Sequence, residues 1–346
     1  MPLRVSYGVA EVRRQTGVDF IIDEPHIHSQ DQFPDIVFSA SMLAIARSGK
    51  KLRSITAAIQ KPDIGLSSSA FAMPQHFLES LKPCLQSIRS LDLSISFTYV
   101  SLGSFSKGSL AFLRWQPHYL FPLLANTPNL TSLRVRSKGY SFMKDGVIGW
   151  LARLATSSDE GKADVIRLDR PVHTTLASIP PVQRFEALRE LQLGDMVAPA
   201  TSLTAVLLFL SGSLRQLHLY TVGVSVLRGE HELDTDSASP NAWDSIFREI
   251  AKSLCLEELK VASLGHHTQS CSLNGNRHQV AFLKSDKGEQ SGPHHGPLST
   301  WSYVGSRDSM KAFLLEIATN TVIICSTCKQ RNSGYKSFED TLELQA

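Results

Sequence analysis

The chain lacks most of the features that announce a function. Cysteine is scarce: five in 346 residues, at Cys84, Cys255, Cys271, Cys325 and Cys328. An odd, widely spaced set does not make a disulfide framework, so reduced thiols in a cytoplasmic or nuclear protein are expected. Charge of one sign is missing too. Lys and Arg total 35 against 32 Asp and Glu, a formal net charge of +3. Such a balance gives no chain-wide attraction to nucleic acid or to an anionic membrane surface. The longest apolar run, LTAVLLFL at 203–210, falls far short of the ~20 residues that cross a bilayer. The opening MPLRVSYGVAEVRRQTG has no apolar stretch of the secretory kind. The sequon at Asn129 is accordingly read as chance. With 42% hydrophobic and 19% charged residues, the composition is that of a folded, soluble chain.

Signatures of chemistry are equally thin. Gly103 and Gly108 have the spacing of a phosphate loop, but Ser109 stands where the lysine is needed. His231-Glu232 begins a zinc-protease motif, and Thr235 occupies the place of its second histidine. Cys325-Ser-Thr-Cys328 offers two of the four ligands of a structural zinc site. The nearest candidates to complete it are His266, His267, Cys271, His294 and His295. His26 and His28 beside Asp23 and Glu24 fit a polar loop as well as a metal. No nucleophile elbow, dinucleotide fingerprint or kinase signature occurs. We therefore expect no cofactor, no metal and no enzyme. A hydrolase whose residues assemble from distant positions stays as an alternative.

What is present is a recurring frame, apolar–x–x–apolar–x–apolar. It reads LRSITA (Leu52, Ile55, Ala57), IRSLDL (Ile88, Leu91, Leu93) and LTSLRV (Leu130, Leu133, Val135). It returns as LRELQL (Leu188, Leu191, Leu193), LRQLHL (Leu214, Leu217, Leu219) and LEELKV (Leu256, Leu259, Val261). A weaker copy, ADVIRLD, carries Ile166 and Leu168. Central positions 55, 91, 133, 166, 191, 217 and 259 are separated by steps of 36, 42, 33, 25, 26 and 42. A helix-period segment precedes most copies; DGVIGWLARLATSS and AWDSIFREIAKSL are the clearest. Asp145 and Asn241 stand at N-cap positions. SMKAFLLEIATN followed by TVIIC reads as a final unit.

The repeating unit is thus helix, short turn, short strand. Side chains of a strand alternate between faces, so the leucines point one way and the intervening polar residues the other. One unit cannot hide both its helix stripe and its leucines, whereas stacked units can. A doubly wound α/β sheet also alternates helix and strand, but its strands, covered on both faces, run apolar throughout. The alternating polarity here favours an α/β, leucine-rich-repeat-like solenoid: a horseshoe with a parallel concave sheet, outer helices and irregular repeat lengths.

The copies at Ile88–Ser94, LTSLRV, LRELQL, LRQLHL and LEELKV resemble the degenerate repeats of fungal F-box and leucine-rich-repeat proteins. The resemblance spans about residues 36–320 and implies a protein-binding solenoid. In that family an N-terminal helical F-box of LPxE type docks a ubiquitin-ligase adaptor. No such segment precedes Phe38. An adaptor is therefore expected as a partner only if an F-box exists outside this chain.

Residues 1–34 are expected to form a cap or irregular segment, 35–328 the repeat domain, and 329–346 a polar tail. Two insertions are expected, 222–240 as an exposed loop and 263–309 as a hairpin of HQVAFLK and TWSYVG. The open strand face is the candidate site: Asp92, Arg134, Arg136, Arg167, Asp169, Glu190, Gln192, Gln216, His218, Tyr220, Glu258 and Lys260. Its mixed signs, amides and Tyr suit a protein partner better than nucleic acid, which wants a basic groove with stacking rings. A non-catalytic interaction protein is the expected function. The substrate-recognition part of an F-box-type receptor is the alternative.

Overall fold

The structure, a computed structural model, describes residues 28–58, 65–71, 73, 75–96, 120–138, 147–149, 151–152, 185–225, 241–267, 278–282, 299–324 and 335–336. The six strong copies of the frame each become one strand. They are β1 (Ser54–Ala57), β2 (Ser90–Ser96), β3 (Ser132–Lys138), β4 (Glu190–Gly194), β6 (Gln216–Tyr220) and β8 (Glu258–Ala262). These strands lie side by side, parallel, in the order β1-β2-β3-β4-β6-β8, and β11 (Thr300–Val304) closes the sheet antiparallel to β8.

The register follows the frame. Ile55, Leu91, Leu133, Leu191, Leu217 and Leu259 form one cross-strand row, and Ala57, Leu93, Val135, Leu193, Leu219 and Val261 the next. From β2 to β8 both rows are 0–1% exposed. The leading residues Ile88, Leu130, Leu188, Leu214 and Leu256 are equally buried. A slip of one residue would turn every leucine to water, so the pattern itself fixes the pairing. Insertions between copies lengthen the connections and leave the ladder unchanged.

Helices supply the other half of the core. They are α1 (His28–Ser48), α2 (Gln75–Leu85), α3 (Leu120–Ala125), α4 (Ala200–Phe209), α5 (Ala242–Ser253) and α6 (Arg307–Asn320). In α5, Trp243, Ile246, Phe247, Ile250 and Ala251 make the buried stripe at the spacing an amphipathic helix requires. Asn241 caps it as expected, its Oδ1 accepting from the Trp243 N–H at 3.1 Å. Val147, Ile148 and Leu151, from DGVIGWLARLATSS, are buried helical residues. One hydrophobic cluster runs from Phe38 to Ala318.

Several sequence expectations need correction. Helix α1 begins at His28, inside the segment 1–34 expected as a cap or irregular segment. Its apolar period starts only near Phe38, and backbone hydrogen bonding needs no apolar stripe to extend a helix. HQVAFLK and TWSYVG do form strands, β10 (His278–Phe282) and β11, but they are not hairpin partners: β11 pairs with β8, and β10 with β9 (Gly265–His267) and β12 (Thr321–Ile324). Strand β12 (Thr321–Ile324), expected as a final unit, lies with β10 in a different sheet. The copy ADVIRLD lies outside the described residues, and β3 pairs directly with β4. Asp23, Glu24 and His26 of the first histidine motif, the motifs at 103–109 and 231–235, and Cys325–Cys328 also lie outside them, while His28 opens α1. Among the described residues no group of His, Cys, Asp and Glu is placed to hold a metal ion, and no helix is long and apolar enough to cross a membrane.

The second sheet was not expected. Its order is β13-β12-β10-β9-β7-β5, with β5 (Val197–Pro199), β7 (Gly223–Ser225), β9 (Gly265–His267) and β13 (Tyr335–Lys336). The segment 223–225, assigned to an exposed loop, is therefore a strand. One turn, used three times, creates this layer. Asp195, Thr221 and Ser263 sit just past β4, β6 and β8 with φ of 53°, 57° and 51°. This left-handed geometry is tolerable for Asp and costly for a β-branched Thr. Each turn is held by the next: Asp195 N–H donates to Tyr220 O at 2.9 Å and Thr221 N–H to Ala262 O at 2.8 Å. Beyond the turn, β5, β7 and β9 run parallel in register. Gly223 serves close packing here, since a Cβ would lie 2.7 Å from His267 Nε2.

This sheet buries His266, His267 and His278. Burial, with His278 and His267 alongside, lowers His266 from its ordinary 6.5 to about 4. Burial lowers His278 as well. The unfolded chain then binds more protons than the folded one between pH 6.5 and 4, so stability is full above 6.5 and declines as pH falls through that window. For His266 alone the loss at pH 5 is about 2 kcal/mol. Urea melts at pH 7.5 and pH 5 measure it, and His266→Leu should flatten the difference. An unchanged slope in that variant contradicts the assignment.

Candidate functional site: the polar face of the seven-stranded sheet

The residues between the leucines fall into three cross-strand rows. The first is Ser54, Ser90, Ser132, Glu190, Gln216, Glu258 and Val304; the second is Thr56, Asp92, Arg134, Gln192, His218, Lys260 and Ser302. The third is Ser94, Arg136, Gly194, Tyr220, Ala262 and Thr300. Ten of the twelve expected site residues stand in these rows; Arg167 and Asp169 lie outside the described residues. Strands ~4.8 Å apart make each complete row roughly 29 Å wide. The contribution of β11 was missed. Its sequence TWSYV alternates, with Thr300, Ser302 and Val304 exposed and Trp301 and Tyr303 turned to the core.

These side chains are more constrained than solvated strand residues. Gln192 and His218 are each 8% exposed. Arg134 reaches across to the next strand, its Nε 2.9 Å and one terminal nitrogen 2.7 Å from Glu190 Oε1. A hydrogen bond from a charged donor to a carboxylate is among the stronger polar contacts. Arg136 lies over Gly194: a Cβ there would be 3.2 Å from Arg136 Cγ. Glycine at that position lets the arginine stem cross the strand.

A second group forms around Glu258, which Lys260 contacts on the same strand. His218 Nε2 lies 3.2 Å from Glu258 Oε1. The Lys260 bond lowers the Glu258 carboxyl and raises the ammonium. Burial lowers His218 and outweighs the opposing pull of Glu258. At Asp92 burial raises the carboxyl, against the lowering influence of Arg136 and Arg134. Among the described residues its Oδ1 is buried without a hydrogen-bond partner, which carries a desolvation cost. Tyr220 packs edge-on to His218, ring centres 6.1 Å apart. The face thus offers fixed donors, acceptors and a phenol across an open surface.

No family model matches this chain. No curated protein matches it either. Among solved structures, it is similar to a chain in the crystal structure of the Rad7 and Elc1 complex in yeast, at 11% identity and a TM-score of 0.26. That likeness covers 69% of this chain and 54% of the other, so the match spans about half the length of its counterpart.

Proposed function

We propose that this chain is a non-catalytic interaction protein. It is a leucine-rich-repeat-like solenoid whose polar strand face is concave and binds a protein partner. The observation that supports this reading most is the alignment of six frames in register. That alignment sets Asp92, Arg134, Arg136, Glu190, Gln192, Gln216, His218, Tyr220, Glu258 and Lys260 on one continuous face. Arg and Tyr are the residues that anchor protein interfaces when water is excluded around them. Holding Arg134 against Glu190 before binding reduces the ordering cost of association.

The test is affinity capture from cell extract with the intact chain and an Arg136→Ala/Tyr220→Ala variant. A hot-spot truncation costs about 2 kcal/mol or more, so proteins retained by the parent should be depleted at least tenfold on the variant. Lys311→Ala, on α6, should change nothing. Identical retention by parent and face variant contradicts the reading. Recovery of a ubiquitin-ligase adaptor and cullin would instead support the receptor alternative.

A further inference from the structure

The second position of the frame carries a pattern of its own. It is arginine in LRSITA, IRSLDL, LRELQL and LRQLHL, giving Arg53, Arg89, Arg189 and Arg215; Thr131 and Glu257 take the place in the other two copies. The intervening sequence varies in length, yet the backbone brings these positions into one line. Arg89 N–H donates to Arg53 O, Thr131 N–H to Arg89 O, Arg189 N–H to Thr131 O and Arg215 N–H to Arg189 O, each at 2.8 Å. The line runs along the edge of the sheet where the strands begin. From Arg53 to Arg215 it crosses four strand spacings, about 19 Å.

Folding does not explain the charge at Arg53, Arg89 and Arg189. These are turn positions, filled without loss of register by Thr131 and Glu257. Arg53, Arg89 and Arg189 are exposed, and among the described residues none forms an ion pair. Arg215 is held to Leu214 O at 2.8 Å and Gly212 O at 3.3 Å, with Glu257 at 3.8 Å. Lys50 and Lys51, both exposed, precede Arg53 in the same connection. At the second position of the six frames four arginines stand against one carboxylate, Glu257, on a chain whose whole formal surplus is +3; Glu190 and Glu258, one residue further on, are paired with Arg134 and Lys260. Like charges one or two strand spacings apart fall within the ~8–10 Å screening length and repel. An external anion would remove that repulsion.

We infer that this arginine rim binds an extended acidic segment of a protein partner. Alternate side chains of an extended peptide stand roughly 6.6 Å apart, so three or four carboxylates match the ~19 Å line. Guanidinium groups take carboxylates in paired hydrogen bonds. Single-stranded nucleic acid fits less well, because none of these rim positions supplies an aromatic ring on which bases stack. The rim shares no residue with the polar face, so each surface stands or falls by its own variants.

Fluorescence anisotropy of the full chain with a labelled peptide of alternating glutamate and serine tests this. A single-stranded oligonucleotide of equal charge is the comparison. The peptide should bind more tightly than the oligonucleotide, with affinity falling as salt rises. Arg89→Glu/Arg189→Glu should weaken it at least tenfold, Arg89→Gln/Arg189→Gln less, and Lys311→Glu not at all. Unchanged circular dichroism would show that the variants remain folded. Absence of peptide binding, binding indifferent to both double variants, or preference for the oligonucleotide would overturn the inference.

Discussion

Leu191→Ala lowers the free energy of unfolding by about 2–5 kcal/mol, the range for truncating a buried leucine. The upper half of that range is expected, because the site has little freedom to collapse. Leu191 is fully buried, with Leu133 and Leu217 on its two sides in the same row. Its strand is tied by hydrogen bonds to β3 and β6, so neither neighbour can move into the cavity without breaking a ladder. Gln216→Ala, on the polar side of the adjacent strand, should stay within about 0.5 kcal/mol. Glu190 is a poorer control, since its pairing with Arg134 adds up to about 1 kcal/mol. Urea unfolding of the two variants checks the contrast, and equal losses would refute the strand assignment.

Phe282→Ala should cost about 3–5 kcal/mol, although nothing in the repeat frame points to it. Phe282 ends β10 in the second sheet and is fully buried. Its ring centre lies 5.5 Å from Trp301 on β11 of the first sheet and 6.3 Å from Phe247 on α5. Trp301 in turn meets Phe313, which stacks on Tyr303 at 4.4 Å. Phe282 therefore joins the second sheet to β11 of the first and to α5, and its removal breaks two ring contacts worth about 0.5–1.5 kcal/mol each beyond the buried area. Unfolding followed by Trp fluorescence measures the loss. A cost below about 1 kcal/mol would show that the two sheets are not packed through this residue.

These two residues mark what the sequence makes legible and what it hides. Leu191 belongs to a pattern of period two with a fixed offset to its leading leucine. Burial on one face dictates that pattern, so burial could be inferred from it. The polar rows follow from the same alternation. Their pairings do not: Arg134 meets Glu190 across 56 residues of sequence, and such a contact depends on which strands become neighbours. The second sheet arises from a backbone turn rather than a side-chain period. A trace of it exists in Met196, Val222 and Leu264, each an apolar residue three positions after the frame's last. Thr221 obscures that trace, because a β-branched residue is a poor sign of a left-handed turn. Strand β11 was recognisable from TWSYV, but its partner was not, since short strands carry little information about pairing.

In the fold described, the six frames are consecutive neighbours in one sheet. Thr56 and Lys260 occupy the same cross-strand row on β1 and β8, five strand spacings apart, which is roughly 24 Å. Spin labels at these two positions, in a background without other reactive cysteines, give the separation directly. The account predicts one narrow distribution centred near that span after allowance for the label arms. A broad distribution, or a separation of only two strand spacings, roughly 10 Å, would contradict it.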